Sequence, residues 1–236
     1  MRYTRHELKQ DKFAESAVEA LHEVVVHRSG IIRMVAVLAV AALLIAGLFW
    51  YRNSREERAG NALGQALVTY NAPVVPPGTP QQGSMVTFHS DQERLIAAKN
   101  AFYAVSDQYG WTSSGQYAHY LAAVCEQELG NHTAAEGQLR GLSNSRHREL
   151  AALAKYALAS VYTDEKRHQD AAKALQSLID KPTSSVPKAN AQLALADLYL
   201  SEHQPEKAKV IFDQVVKENP KNSLGQIAKS RQNDLK

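Results

Sequence analysis

One apolar run stands out from the pattern of hydrophobic and polar positions, extending from Met34 to Tyr51. It contains 18 residues without a charge, MVAVLAVAALLIAGLFWY. A helix of that length spans about 27 Å, close to the thickness of the hydrocarbon core of a bilayer. Trp50 and Tyr51 end the run, as is typical of a membrane interface, and Arg33 and Arg52 flank it. The run predicts one transmembrane helix, residues 34–51.

A cleaved signal peptide is the alternative to a retained anchor. The 33 residues before the run are longer than a usual signal-peptide n-region, and no small-residue cleavage pattern follows the run. We therefore expect the helix to be retained. Six Lys and Arg residues precede the run, and three (Arg52, Arg55 and Arg58) lie just after it, which favours a cytoplasmic N-terminus and a translocated C-terminal part. Counted only near the membrane, the two sides are almost even.

The segment before the span, residues 1–33, contains an amphipathic stretch over residues 8–28. Phe13, Ala17, Leu21 and Val24 form one helical stripe, with glutamates on the other side. The pattern predicts a cytoplasmic tail helix. It either packs on a partner or along the membrane interface, or it is a solvated helix ahead of the anchor.

A different pattern, a repeat with a period of 37 residues, fills the C-terminal part of the chain. Residues 155–182 and 192–220 align so that Leu158, Ala159 and Tyr162 recur as Leu195, Ala196 and Tyr199. Apolar residues fall at i, i+4 and i+7, which gives each helix one buried face. Each unit is therefore two helices joined by a short polar turn.

Earlier and later segments extend the repeat. In residues 119–142, Leu121, Ala122 and Cys125 match the first helix of the next unit, so that Cys125 takes the place of Tyr162. Another pair is expected from residues 56–71 and 93–110, with a proline-rich loop inserted at 72–90. A last helix after Pro220 is expected to cap the array. The predicted fold is all-α: a tail helix, one transmembrane helix, and an α-solenoid of helical hairpins over residues 52–236 with a C-terminal capping helix.

Composition and motifs exclude several function classes. The net charge is only +3 with interspersed signs, which argues against a nucleic-acid binder. Cys125 is the single cysteine, so an internal disulfide and a cysteine-based zinc site are excluded. No phosphate-binding, dinucleotide-binding, zinc-protease or hydrolase motif occurs, and the histidines are scattered. We expect no catalysis, no metal, no cofactor and no small-molecule substrate; the expected partners are proteins.

The repeated units resemble tetratricopeptide repeats. The last unit matches six of the eight preferred positions of that family, and it departs at Gln192, where the family has tryptophan, and at Val215, where a small residue is usual. The six matching residues are Leu195, Ala196, Tyr199, Ala208, Phe212 and Pro220.

The layout of the whole chain resembles the ancillary translocon subunit family. The shared features are a short tail, one span, an exit rich in arginine (Arg52, Arg55 and Arg58) and an alanine-rich hairpin solenoid. The resemblance implies a single-pass protein of the bacterial inner membrane with a periplasmic tetratricopeptide-like domain. The partners it implies are the protein translocation channel, a membrane-tethered prolyl isomerase chaperone, and unfolded clients.

In tetratricopeptide arrays the first helices line a concave groove that binds partner segments. By their position in the repeat, ten residues are predicted to line it: Gln116, His119, Glu126, Tyr156, Ser160, Thr163, Asn190, Leu193, Asp197 and Leu200. Three hypotheses follow. The chain captures clients near the translocon, it is a structural subunit of another inner-membrane complex bound through its span and tail, or it is a cytoplasmic regulatory subunit.

Overall fold

The computed structural model describes residues 28–76 and 86–235. These residues form helices and loops, with no strand beyond an isolated parallel bridge between Val74 and Phe88. The all-α prediction is confirmed. The predicted tail helix, almost all of it before residue 28, and the middle of the 72–90 loop lie outside the described residues.

The described part of the chain contains nine helices, numbered here in chain order. They are α1 (Arg28–Tyr70), α2 (Asp91–Tyr109), α3 (Ser113–Glu128), α4 (His132–Ser143), α5 (Arg148–Asp164), α6 (His168–Asp180), α7 (Lys188–Ser201), α8 (Pro205–Glu218) and α9 (Ser223–Asn233).

The chain divides into two compact units, Met1–Ser54 and Arg55–Lys236. In the first unit the apolar side chains of α1 are exposed; Leu43 is 72% and Phe49 74% accessible. A core helix of a soluble protein buries such residues, whereas none of this apolar stretch is buried inside the protein. Among the described residues, α1 is the one helix that is long and apolar enough to cross a membrane, as expected for single-pass anchoring.

The second unit is a series of helical hairpins. The end of α1 packs on α2 in one core cluster. Then α3 pairs with α4, α5 with α6 and α7 with α8, and α9 packs on α8. A large apolar residue is buried at the same position in the second helix of each hairpin: Phe102, Leu139, Leu175 and Phe212. The smaller alanine four residues earlier is fully buried beside each of them, which allows the paired helices to approach closely. Pro205 opens α8, where its missing N–H costs nothing.

The hairpin turns show that the predicted repeat register of the unit formed by α3 and α4 is off by one residue. Gly130, Lys166 and His203 all have positive φ, at 82°, 61° and 58°. In each turn the next residue donates its backbone N–H to a backbone carbonyl oxygen of the first helix. The acceptors are Glu126, Tyr162 and Tyr199, at 2.8, 2.7 and 2.8 Å.

Glu126 is therefore the counterpart of the two tyrosines, and the alignment of Cys125 with Tyr162 was wrong by one residue. The unit of α3 and α4 is 36 residues before the next one, not 37. Cys125 is buried and apolar, so it resembled a core position more than the glutamate that follows it.

Candidate partner-binding groove

The corrected register places one strip of side chains along the first helices of the hairpins, here called the first-helix groove. In α5 the groove residues are Tyr156, Ser160 and Thr163, as predicted from the repeat. In α3 the counterparts are Tyr120, Val124 and Gln127, and Tyr117 precedes them on the same strip. Tyr117, Tyr120 and Gln127 lie one residue beyond the predicted Gln116, His119 and Glu126. In α7 they are Asn190, Leu193, Asp197 and Leu200.

Side-chain contacts join α3 to α5 across this groove. Gln127 donates its Nε2–H to Ser160 Oγ at 2.7 Å and to Asp164 Oδ2 at 3.1 Å. The rings of Tyr117 and Tyr120 lie 5.7 Å apart between centroids. These contacts form one continuous surface, with aromatic rings nearer one end of α3 and polar groups nearer the other.

Between α5 and α7 the groove deepens into a cleft of about 230 Å³. Four of the ten predicted residues line it: Tyr156, Ser160, Thr163 and Asp197. Asp164 and Ser201 add polar groups, and Leu198 adds an apolar one. This cleft is the part of the predicted site that the structure brings together.

Helix α9 covers the groove over part of α7. Leu193 is buried in the same core cluster as Ala228 of α9, and Leu200 packs against that cluster. Asp197 forms an ion pair with Arg231 of α9. Asn190 is half-buried, and its Oδ1 has no hydrogen-bond partner in the described part of the chain. The groove is thus open mainly along α3 and α5.

His119 and Glu126 face the second helices instead of the groove, whereas Gln116 borders both sides and also lines a cleft of about 360 Å³ with Tyr117 of α3 and Leu153 of α5. Gln116 and His119 line a cleft of about 320 Å³ together with residues of α2 and α4. His119 Nδ1 lies 3.1 Å from Ser106 Oγ, and burial lowers the pKa of this histidine.

Glu126 is buried and its carboxylate is fully engaged on that same side of α3. It accepts hydrogen bonds from Asn131 at 2.6 Å and from the Tyr103 hydroxyl at 3.3 Å, and it pairs with Lys99 at 3.4 Å. His119 and Glu126 lie off the groove because the predicted register of α3 was one residue off. The 36-residue spacing of Ala135 and Leu139 from Ala171 and Leu175 was the signal that could have corrected it.

The chemistry of the groove suits binding rather than reaction. Burial raises the pKa of Tyr120 to about 12 and also raises that of Tyr156, so both hydroxyls are neutral donors near pH 7. Burial raises the pKa of the Cys125 thiol to about 12 as well, which keeps it protonated and unreactive. Within the described ranges, no group of three or more His, Cys, Asp or Glu side chains is placed to hold a metal ion.

Comparison with known families agrees with this architecture. Residues 29–185 match the family described as tetratricopeptide repeat-like domain, and residues 162–231 match a tetratricopeptide repeat family. The first match covers more than half of the chain, so the chain belongs to the tetratricopeptide repeat-like domain family. No curated protein and no solved structure matches the chain. Members of such families are generally non-enzymatic modules for protein–protein interaction.

Proposed function

We propose that this protein is a membrane-anchored interaction module whose first-helix groove holds an extended segment of a partner or client protein. The cleft between α5 and α7 carries the proposal, since Tyr156 offers a partly exposed ring and hydroxyl oxygens of Thr163 and Ser201 lie around it as acceptors. Both hydroxyls already donate to backbone carbonyl oxygens, so they accept from the N–H groups of a partner segment. Aromatic faces hold apolar side chains, and neutral polar groups bond to an extended backbone. Anchoring through the span, residues 34–51, raises the local concentration of the groove at the membrane, so that modest affinity is sufficient.

In this proposal the domain of residues 52–236 lies in the periplasm at the bacterial inner membrane and residues 1–33 lie in the cytoplasm. Its partners are the protein translocation channel, a membrane-tethered chaperone and emerging clients. The resemblance to the ancillary translocon subunit family supports this placement. So does the excess of positive residues before the span, six against the three that lie just after it.

A second candidate function is a structural or assembly subunit of another inner-membrane complex, bound through the span and tail. Its support is the exposed apolar surface of α1, where Ala42 and Ala46 form a pair of small residues one turn apart. Such a pair allows a second transmembrane helix to approach closely.

Isolation of partner complexes from solubilised membranes distinguishes the two functions. Under the groove proposal, Tyr156→Ala lowers partner recovery at least about tenfold, as expected for loss of an aromatic anchor. Lys173→Ala, on the exposed side of α6, is the matched control and leaves recovery unchanged. Deletion of residues 1–27 also leaves it unchanged. Loss of recovery on that deletion, with Tyr156→Ala behaving as wild type, supports the structural subunit instead.

Sidedness is tested by thiol labelling of intact cells. Cys125 is fully buried and stays protonated, so it contributes little background. A Ser223→Cys variant places a reactive thiol at the exposed start of α9. The periplasmic proposal predicts labelling by a membrane-impermeant reagent before lysis. Labelling only after lysis places the domain in the cytoplasm and overturns this part of the proposal.

A further inference from the structure

Three loops connect one hairpin to the next, over residues 110–112, 144–147 and 181–187, and are here called the inter-hairpin loops. One cleft of about 360 Å³ brings their ends together, since Ser113, His147 and Ser185 all line it. Glu149 ties the second connection to the third by accepting a hydrogen bond from the Ser185 N–H at 2.7 Å. The inter-hairpin loops therefore lie side by side and form one surface.

The chain itself keeps the first of these loops near the membrane. The Glu56 carboxylate accepts hydrogen bonds from the N–H groups of Ser113 and Ser114, at 2.9 and 2.8 Å, directly after the loop of residues 110–112. Glu56 is also only five residues after Tyr51, the last residue of the span. Five residues reach at most about 18 Å. The loop is thus attached at a short distance from the bilayer.

This loop exposes an aromatic side chain. Trp111 lies in it and is 46% accessible, although tryptophan is highly buried on average in folded proteins. The ring of tryptophan is apolar and its N–H is a donor, which is why tryptophan concentrates where a membrane meets water. Trp111 has the chemistry of an interfacial residue, and the chain places it close to an interface.

The other two inter-hairpin loops carry cations. A cleft of about 640 Å³ lies between them, and four basic side chains line it: Arg146, Arg148, Lys155 and Lys181. None of the four forms an ion pair with another described residue. The one carboxylate in the lining is that of Asp180, which accepts a hydrogen bond from Gln176. The cleft therefore has an excess of positive charge.

Arg167, beside the hairpin turn at Lys166, shows the contrast. Its guanidinium is bound by three carboxylates, those of Glu136, Glu165 and Asp170. Such a cation has little charge left for an external anion, whereas the cations of the inter-hairpin loops keep theirs. A surface that joins an exposed tryptophan to available cations is complementary to a bilayer with anionic headgroups.

We propose that the inter-hairpin loops dock on the anionic lipid surface of the membrane that anchors the chain, with Trp111 in the interface and Arg146, Arg148 and Lys181 at lipid phosphate groups. The occupant is the lipid surface because the anchor keeps it within reach of the loops at all times. A tethered surface docks even when its intrinsic affinity is modest, since the tether raises its effective concentration.

This proposal needs the span of residues 34–51 but neither the first-helix groove nor a particular side of the membrane. Its failure leaves the proposed function of the groove intact, and failure of the groove or of the periplasmic placement leaves the docking proposal intact.

The test is tryptophan fluorescence of the full chain, one copy in each lipid nanodisc. The chain has two tryptophans, so Trp50→Phe leaves Trp111 as the single fluorophore. The discs contain phosphatidylcholine and phosphatidylglycerol, with or without bromine in the upper part of the acyl chains. Bromine quenches tryptophan on contact. We expect brominated lipid to lower the Trp111 emission about twofold, as for a residue at the interface. Unquenched Trp111 overturns the proposal.

A matched control moves the fluorophore to the far end of the same helix. Glu128 is exposed at the end of α3, about 22 Å along the helix from Ser113. In a chain with Trp50→Phe, Trp111→Phe and Glu128→Trp, brominated lipid should leave the emission unchanged. Equal quenching at the two positions overturns the proposal, because contact with lipid is then not specific to the inter-hairpin loops.

Charge reversal tests the cations. Arg146→Glu with Lys181→Glu, made in the chain that keeps Trp111, should lower the ratio of docked to undocked chain by at least about fivefold for each lost cation, so most of the quenching disappears. Lys173→Glu with Lys209→Glu makes the same change of charge at exposed positions of α6 and α8 and should leave the quenching unchanged. The same result for both pairs overturns the assignment to these cations.

A second copy of the chain is the other occupant to test. Discs that hold two chains are compared with discs that hold one, with aqueous iodide as the quencher. Shielding of Trp111 from iodide that appears only with two chains, without quenching by brominated lipid, places the second copy on the loops and overturns the lipid surface as the occupant.

Discussion

The hairpin of α3 and α4 and the hairpin of α7 and α8 share one backbone plan but use different chemistry at its centre. In the α7–α8 hairpin the Tyr199 ring packs against the core, and the Lys207 ammonium lies over the face of that ring. Glu126 holds the same position in the α3–α4 hairpin. Its buried carboxylate accepts hydrogen bonds from Tyr103 and Asn131 and forms an ion pair with Lys99. An aromatic ring beneath a lysine in one hairpin is replaced by a polar network in the other.

The difference teaches that the repeat is conserved as a backbone geometry and not as a set of side chains. Both hairpins turn through a residue with positive φ, Gly130 and His203, and both close the turn with the same backbone hydrogen bond. A buried carboxylate is tolerated where its donors are all present. The two hairpins should therefore respond differently to substitutions at matched positions.

The largest expected difference comes from the buried residue in the second helix of each hairpin. Phe212→Ala should destabilise α7 and α8 by about 4 kcal/mol and Leu139→Ala should cost α3 and α4 about 3 kcal/mol, from lost burial and the cavity left behind. Hydrogen exchange of the full chain in detergent micelles measures both effects, hairpin by hairpin. Lys209→Ala, exposed on α8, is the control.

Faster exchange confined to α7, α8 and α9 is the result expected for Phe212→Ala, because a solenoid is stabilised by contacts between neighbouring units. Uniformly faster exchange across all hairpins contradicts this picture and shows that the array unfolds as one unit.

The fold could be predicted because its signal is periodic. Apolar residues at i, i+4 and i+7, together with the recurrence of Leu158 and Tyr162 as Leu195 and Tyr199, specify helical hairpins whatever the other side chains are. The apolar run of α1 is equally explicit, since its length and lack of charge fit few alternatives.

The groove was predicted less well, for two physical reasons. At Glu126 a polar residue occupies a core position, so a hydrophobic pattern selected Cys125 and shifted every α3 residue by one. At Leu193 the repeat position was correct, but α9 packs over it through Ala228. Such packing between distant segments is not encoded in the local period. The hydrogen bonds from Ser113 and Ser114 to Glu56 likewise join segments that only the folded structure brings together.

A smaller effect tests whether the polar network of Glu126 stabilises the α3–α4 hairpin. Glu126→Ala should cost about 2 kcal/mol, because Lys99 and Asn131 lose a buried partner, and Glu126→Gln should cost less since it keeps an acceptor for Asn131. Chemical denaturation of the full chain in micelles measures both losses.

Glu128→Ala is the matched control for this network, because Glu128 is exposed and two residues away, and its carboxylate accepts a hydrogen bond from the Tyr70 hydroxyl at 2.9 Å. It should change stability by less than about 0.5 kcal/mol. Equal losses for Glu126→Ala and Glu128→Ala mean that the network contributes nothing beyond a surface contact.

The smallest expected effect separates the two hairpins at their turns, where the side chains differ and the backbone does not. Gly130 has φ of 82° and no atom within 4 Å of the position a Cβ takes, so Gly130→Ala meets strain of the backbone alone. It should lower the free energy of unfolding by about 1 kcal/mol.

His203 already has this strained conformation, with φ of 58°. His203→Gly relieves the strain but adds freedom to the unfolded chain, so the free energy of unfolding should rise by about 0.5 kcal/mol. The shift of the urea midpoint measures both, and Gly137→Ala, in the interior of α4 where φ is helical, is the control that should stabilise. If Gly130→Ala and His203→Gly shift the midpoint in the same direction, the two turns do not share one backbone constraint.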